Sequence, residues 1–256
     1  MSSYHYSERI RYGGIQDHRI TRAVQRLILI NAAVFAIQLL LNIPFGYRGL
    51  VPPPGGLIID YLSFQPVSFL HGLLWQPLTY MFLHAGLLHL FFNMLWLYFF
   101  GPDVEHALGT RQFVLFYFLC GAVGVMATFI PLFIYGRDVS VVGASGAVMG
   151  VLIGFAIVNP HRQFFIFPLP VPITAKWLVA IVIVINLLNA DSGGTMSVAT
   201  HFGGMAVAYV YMKFIPYWRE RRRAWWRGRR QGRGKHKNSI GDDVDNIFRF
   251  DKHRRD

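Results

Sequence analysis

The chain has 256 residues, of which 54% are hydrophobic and 22 are phenylalanine, with a formal net charge of +12 and a mean hydropathy of +0.37. That is too apolar for an ordinary soluble domain of this length, and it defines a polytopic membrane protein. The lone cysteine, Cys120, excludes an intrachain disulfide and a cysteine-rich zinc site, and within an apolar run it reads as a small buried hydrophobe.

Charge is concentrated at the two ends. Arg9, Arg11, Arg19, Arg22 and Arg26 precede or open the first apolar run, and ten of the 25 Lys and Arg residues fall between Arg219 and Lys237. The expected layout is therefore a basic N-terminal tail (1–22), a membrane domain (23–216) and a basic C-terminal tail (217–256) that reads as disordered toward its end.

In chain order, six runs have the length and apolarity of transmembrane helices, at about twenty residues per crossing: Ala23 to Ile43, Leu78 to Phe100, Phe113 to Tyr135, Ser145 to Val158, Pro172 to Asn189 and Val198 to Ile215. The first lacks a small-residue cleavage pattern after it and reads as a retained helix, not a secretory signal. Val51-Pro-Pro-Pro-Gly-Gly56 reads as a stiff turn in the connection that follows. The fourth run is short, rising only about 21 Å against a hydrocarbon core of about 30 Å, so a residue at its head lies below the membrane surface. No internal repeat is visible.

An even number of crossings puts both termini on one side. The two basic tails, with Arg111 and Arg162 in the connections on that side, outweigh Arg48 and Arg137 on the other, which predicts cytoplasmic termini. The fourth and sixth helices then run in the same direction from the external face. Ser145 and His201, each near the start of its helix, arrive at a common depth.

Those two residues are the minimum pair for acyl transfer: the imidazole takes the hydroxyl proton during attack and returns it to the leaving amine. Ser145 is set among Gly143, Ala144, Gly146 and Ala147, small neighbours that admit a substrate backbone and leave helix-start amides to face an oxyanion. A helix cap or a close-packing patch has the same composition. His201 is an ionisable group in an apolar helix, and Gly204, three residues on, would let a neighbouring helix approach. His89 and Asn93 are spaced i, i+4, so their polar ends share a helix face; burying both requires partners, a bundle interior or a wet cavity. Without Ser145, a helix-stabilising polar cluster would be a competing explanation for them.

Taken together, the Gly143-Ala-Ser-Gly-Ala147 segment, His201 with Gly203 and Gly204, and the His89/Asn93 pair make roughly residues 23 to 216 resemble the rhomboid family of intramembrane serine proteases. The resemblance implies an all-α membrane fold, a six-transmembrane-helix bundle. It implies an intramembrane serine endopeptidase that cuts transmembrane protein substrates near the external membrane face with a Ser145–His201 catalytic dyad. It also implies an oxyanion hole formed by His89, Asn93 and the Ser145 amide, with His84, Gly143, Gly146 and Gly204 in structural roles. Gly101, Glu105 and Gly109 resemble the family pattern after the second helix, with Glu105 as a cytoplasmic anchor.

Three positions depart from that pattern. Gln76 stands after Trp75 where an arginine is usual, Met149 where an aromatic ring often covers the imidazole, and Ala208 where a second glycine would follow Gly204. Met can cover an imidazole face, and Ala preserves small-residue packing.

No acidic residue lies on the apolar runs beside Ser145 or His201, so the dyad is expected to lack a carboxylate third member. Asp191-Ser-Gly-Gly-Thr195 reads equally as a mobile cap over the site or as a plain turn. No His-Glu-x-x-His helix is present for a metalloprotease and no intramembrane aspartate pair for an aspartyl protease; neither a metal nor a cofactor is implied. A non-catalytic rhomboid-like protein binding transmembrane clients is the main alternative, and a transporter with broken helices is another. The expected partners are transmembrane protein substrates and anionic lipid headgroups at the basic tails, where Trp225 and Trp226 suit the interface better than nucleic acid. A prokaryotic plasma membrane is the expected location.

Overall fold

The computed structural model describes residues 20–42, 61–136, 138, 140–164, 172–188 and 197–214. The N-terminal tail up to 19, the C-terminal tail from 217, the turn expected at Val51 to Gly56 and the cap expected at Asp191 to Thr195 lie outside the described residues. Met1–Tyr211 forms one compact unit; of a second, Met212–Asp256, only 212–214 are described.

The protein is an all-α membrane protein. Its helices are α1 (Arg22–Asn42), the short α2 (Pro66–Leu70) and α3 (Gln76–Thr79), α4 (Leu87–Leu108), α5 (Thr110–Gly124), α6 (Phe129–Tyr135), α7 (Ser145–Val158), α8 (Ala175–Leu188) and α9 (197–214). The strands β1 (Gln163–Phe164) and β2 (Ile173–Thr174) pair antiparallel, Gln163 opposite Thr174, just before α8. Among the described residues, Arg22–Leu41, Leu87–Leu108 and Thr110–Tyr135 are long and apolar enough to cross a membrane, while α7 and α8 are shorter apolar helices.

The second long helix differs from the expected Leu78 to Phe100: it begins at Leu87 and ends at Leu108. Pro77 opens only a four-residue turn, a 3-10 turn follows at Tyr80–Phe82, and Leu83 turns extended at φ −82°, ψ 146°. The apolar residues from Leu78 to Leu83 thus belong to a folded connection, and His84 precedes the helix instead of riding on it. At its other end the helix continues through Pro102 and stops at Gly109, whose φ of 82° is a left-handed conformation that glycine tolerates. The third stretch starts at Thr110 instead of Phe113, is drawn into a 3-10 turn at Val125–Thr128, and ends at Tyr135 as expected. Ile173 and Thr174 pair as a strand with Gln163 and Phe164, so α8 begins at Ala175 instead of Pro172.

Helix α7 is the centre of the bundle. Ser145, Gly146, Ala147, Val148, Gly150, Val151, Leu152, Gly154 and Phe155 are all buried, so most of its circumference is covered, as suits a helix apolar all round, and the stripe of Met149, Ile153, Ala156 and Ile157 is partly open. It packs most extensively on α4 and α5, and α1 packs on α4. Small residues set how close the helices come. A Cβ on Gly150 would meet Cys120 Cβ at 2.6 Å and Sγ at 2.7 Å, so the buried thiol fills the space that glycine leaves. Gly204 lies against the backbone of Gly146, and Gly203 against that of Gly124. Such contacts are how helices associate where no hydrophobic drive separates protein from lipid.

Candidate active site

The loop ahead of Ser145 is held from below and beside. Phe64 and Val141 exchange backbone hydrogen bonds (Phe64 N–H to Val141 O, 3.0 Å; Val141 N–H to Phe64 O, 2.8 Å), and Gly143 N–H donates to Tyr80 O at 2.9 Å. An aromatic cluster of Phe64, Phe69, Tyr80 and Phe129, with ring centroids 5.7 to 6.3 Å apart, anchors this connection onto the helices. The Tyr80 hydroxyl donates to Gly121 O at 2.8 Å, beneath the start of α7. Trp75 donates its indole N–H to Tyr61 O at 3.0 Å, and Gln76, in place of the expected arginine, is buried and accepts the Gln65 N–H at 3.2 Å.

Gly143 is the hinge of the site. Its φ of +116° disfavours any side chain, and a Cβ there would meet His89 Cε1 at 2.6 Å, His89 Nε2 at 2.8 Å and Asn93 Nδ2 at 3.6 Å. The i, i+4 pair on α4 therefore converges on the chain two residues before Ser145. Asn93 is only 6% exposed, and its Nδ2 is buried without a hydrogen-bond acceptor among the described residues. His89 Nδ1 accepts the Ala85 N–H at 3.5 Å, which leaves Nε2 to carry the proton on the Gly143 side of the neutral ring. The first amides of α7, Ser145 among them, have no intrahelical acceptor by the geometry of a helix start. The α4 side chains meet the chain just ahead of these free amides.

His84 is fully buried, its ring edge-on to His89 with centroids 5.2 Å apart. Its backbone is clamped by a residue that sequence reasoning passed over. Gln38 of α1 donates Nε2–H to His84 O at 2.9 Å and accepts the His84 N–H at 3.2 Å through Oε1. A buried glutamine on an apolar helix was the available signal, since such a group must find partners.

The crossing of α7 with α9 brings the remaining residues in. A Cβ on Gly146 would meet Thr200 Cγ2 at 2.9 Å and Thr200 O at 3.3 Å, and Gly204 rests on Gly146 itself. Ser145 and His201 are each one residue from that contact. No hydrogen bond joins Ser145 to His201 among the described residues; the His201 ring instead meets Asn186 Oδ1 through Nδ1 at 2.5 Å and Ser197 Oγ through Nε2 at 3.4 Å. Catalytic hydrogen bonds are commonly long before substrate binds. Asn186 and Ser197 were absent from the expected site, although Asn186 is the one polar residue on its helix after Lys176 in the first turn. Met149 is half-buried and Ala208 fully buried. Among the described residues no cluster of His, Cys, Asp and Glu has the makings of a metal site.

An apolar helical bundle with a polar cluster at one end defines an integral membrane protein with a candidate acyl-transfer site. The rhomboid domain model matches residues 71–217, more than half of the chain, and the protein belongs to the rhomboid family. It is similar to the putative rhomboid protease YdcA of Bacillus subtilis, 39% identical over 93 residues that cover 36% of this chain and 44% of that one. Against the rhomboid protease GlpG of Haemophilus influenzae it is 25% identical over 140 residues, 54% of this chain and 67% of the relative. Against the mitochondrial RHOMBOID-like protein 12 of Arabidopsis thaliana it is 28% identical over 214 residues, 77% of this chain and 58% of the relative. The chain thus spans about half the length of several relatives it matches.

Proposed function

We propose that the protein is an intramembrane serine endopeptidase. Ser145 Oγ attacks a peptide carbonyl of a membrane-embedded substrate, and His201 accepts the hydroxyl proton and passes it to the leaving amine. Water, deprotonated by the same imidazole, then hydrolyses the acyl-enzyme. Asn93, His89 and the Ser145 amide stabilise the oxyanion, with Gly143 keeping the space clear. The observation that carries this reading is the Asn93 amide, whose buried N–H donor finds no acceptor among the described residues and lies beside Gly143. An unspent buried donor costs about 1 to 3 kcal/mol, a cost that a site built for a developing negative charge explains.

The relatives named as proteases support the class of activity, and the substrates proposed are transmembrane proteins cut near the external face. Lysine and arginine asymmetry supports cytoplasmic termini and a six-crossing topology. A plasma membrane of a prokaryote is the favoured location, although mitochondrial proteins also stand among the relatives. A fluorophosphonate probe on the membrane-embedded protein tests the mechanism. Labelling of Ser145, lost in Ser145→Ala together with cleavage of a helix-destabilised transmembrane substrate, is the expected outcome. Full cleavage by Ser145→Ala would sink the reading and leave the client-binding alternative.

A further inference from the structure

We infer that Asn186 is the positioning residue of the proposed acyl-transfer site, holding His201 in the tautomer that presents a lone pair on Nε2. The inference rests on the serine-protease reading for its functional meaning, but its structural content stands on hydrogen bonds alone.

A neutral imidazole has one N–H and one lone pair, and which nitrogen holds which is set by the groups they face. Asn186 sits near the end of α8, and its Nδ2 donates to Val182 O, one turn back, at 2.8 Å. A backbone carbonyl only accepts, so that bond decides which way round the amide lies. The atom left facing the imidazole is Oδ1, 2.5 Å from His201 Nδ1. Since Oδ1 also only accepts, Nδ1 must carry the hydrogen, and the lone pair falls to Nε2. Nε2 is the nitrogen a general base needs on the serine side. Ser197 Oγ, 3.4 Å from it and one turn earlier on α9, is a hydroxyl that can donate to that lone pair before substrate arrives.

The role of a third member is thus filled by an amide. An uncharged acceptor fixes the ring and strengthens its bond to Nδ1–H as the imidazolium forms, without burying a carboxylate in an apolar bundle. It also comes from a different helix than either Ser145 or His201, so α8 is tied to the site by chemistry as well as by packing on α7.

Two readouts test the assignment in the full-length protein. Asn186→Leu keeps most of the volume but removes the acceptor, and it should lower kcat roughly ten- to a hundredfold with KM little changed. Asn186→Asp, which keeps an oxygen in place, should recover a large part of that loss. Independently of turnover, nitrogen-15 NMR of histidine-labelled Ser145→Ala protein, with the His201 signal identified by its loss in His201→Gln, should show Nδ1 protonated and Nε2 bare. Wild-type kcat in a folded Asn186→Leu protein, or an Nε2-protonated His201 signal, would overturn the inference. Cleavage that survives Ser145→Ala would overturn the serine-protease reading instead, and the NMR measurement would still decide the tautomer.

Discussion

The two ends of α4 carry polar groups in opposite conditions. At its start, His89 and Asn93 point at the Gly143 loop, and the Asn93 donor has no acceptor among the described residues. At its close, both acidic groups have been matched. Glu105, only 4% exposed, accepts the Val24 N–H at 3.3 Å through Oε2 and the Thr110 hydroxyl at 2.7 Å through Oε1. Asp103 pairs with Arg162 at 2.6 Å, and the guanidinium also lies over the Phe155 and Phe164 rings at 5.7 and 5.9 Å. Glu105 serves the first turn of α1, where a helix start has spare amides and favours negative charge. One end of the helix is therefore built to hold the bundle together, and the other keeps hydrogen-bonding capacity in reserve. Satisfied groups stabilise the native state; reserved donors can act only on something that is not part of the fold.

The largest effects should come from the reserved end. Ser145→Ala and His201→Ala should each abolish cleavage of a transmembrane substrate while the protein remains folded in the membrane, because each removes half of one chemical unit. If either variant instead lost its fold, the division between the two ends would fail at its most important point. Next, Asn93→Ala should lower turnover by roughly ten- to a thousandfold, about 1.4 to 4 kcal/mol, with little change in apparent affinity. Its thermal stability should be equal to wild type or slightly higher, since an unpaired buried donor is removed. His89→Ala should act in the same direction with some loss of stability, and the double variant should lose less than the sum of the two. Unchanged turnover in a folded Asn93→Ala protein would return Asn93 to helix packing.

At the satisfied end the pattern should invert. Glu105→Ala strands the Val24 amide and the Thr110 hydroxyl, and should cost about 1 to 3 kcal/mol of stability while turnover per folded molecule holds. Thermal unfolding in detergent beside an active-site titration would separate the two quantities, and a fall in kcat without a fall in stability would break the comparison. Smallest of all is Arg162→Ala, expected to cost about 1 kcal/mol or less, because its side chain is 33% exposed and solvent screens the pair with Asp103.

Much of this was legible in the residues themselves. Apolar run lengths located the helical stretches, and the Ser145 to Val158 helix has the limits read from sequence because Gly143 and the Asn159-Pro160 pair punctuate both ends. The i, i+4 spacing put His89 and Asn93 on one face. The second long helix was misplaced at its start because Leu78 to Leu83 are apolar for a different purpose: they line a folded connection that Pro77 and Gly86 exclude from the helix. Asn186 and Gln38 passed unnoticed because a single amide on an apolar run says only that some partner is needed, not which one.

Composition and periodicity determined that this chain lies in a membrane as a bundle of helices, and the residue types determined that acyl transfer was the chemistry to look for. These are properties of local sequence, set by transfer free energy and by the reach of side chains one turn apart. Tertiary structure alone decided that Gly143 meets His89 and Asn93, that Gly146 admits Thr200 and Gly204, and that Asn186 faces His201. Those meetings join residues distant in the chain, and they depend on how closely glycine lets particular backbones approach, which only the packed helices determine.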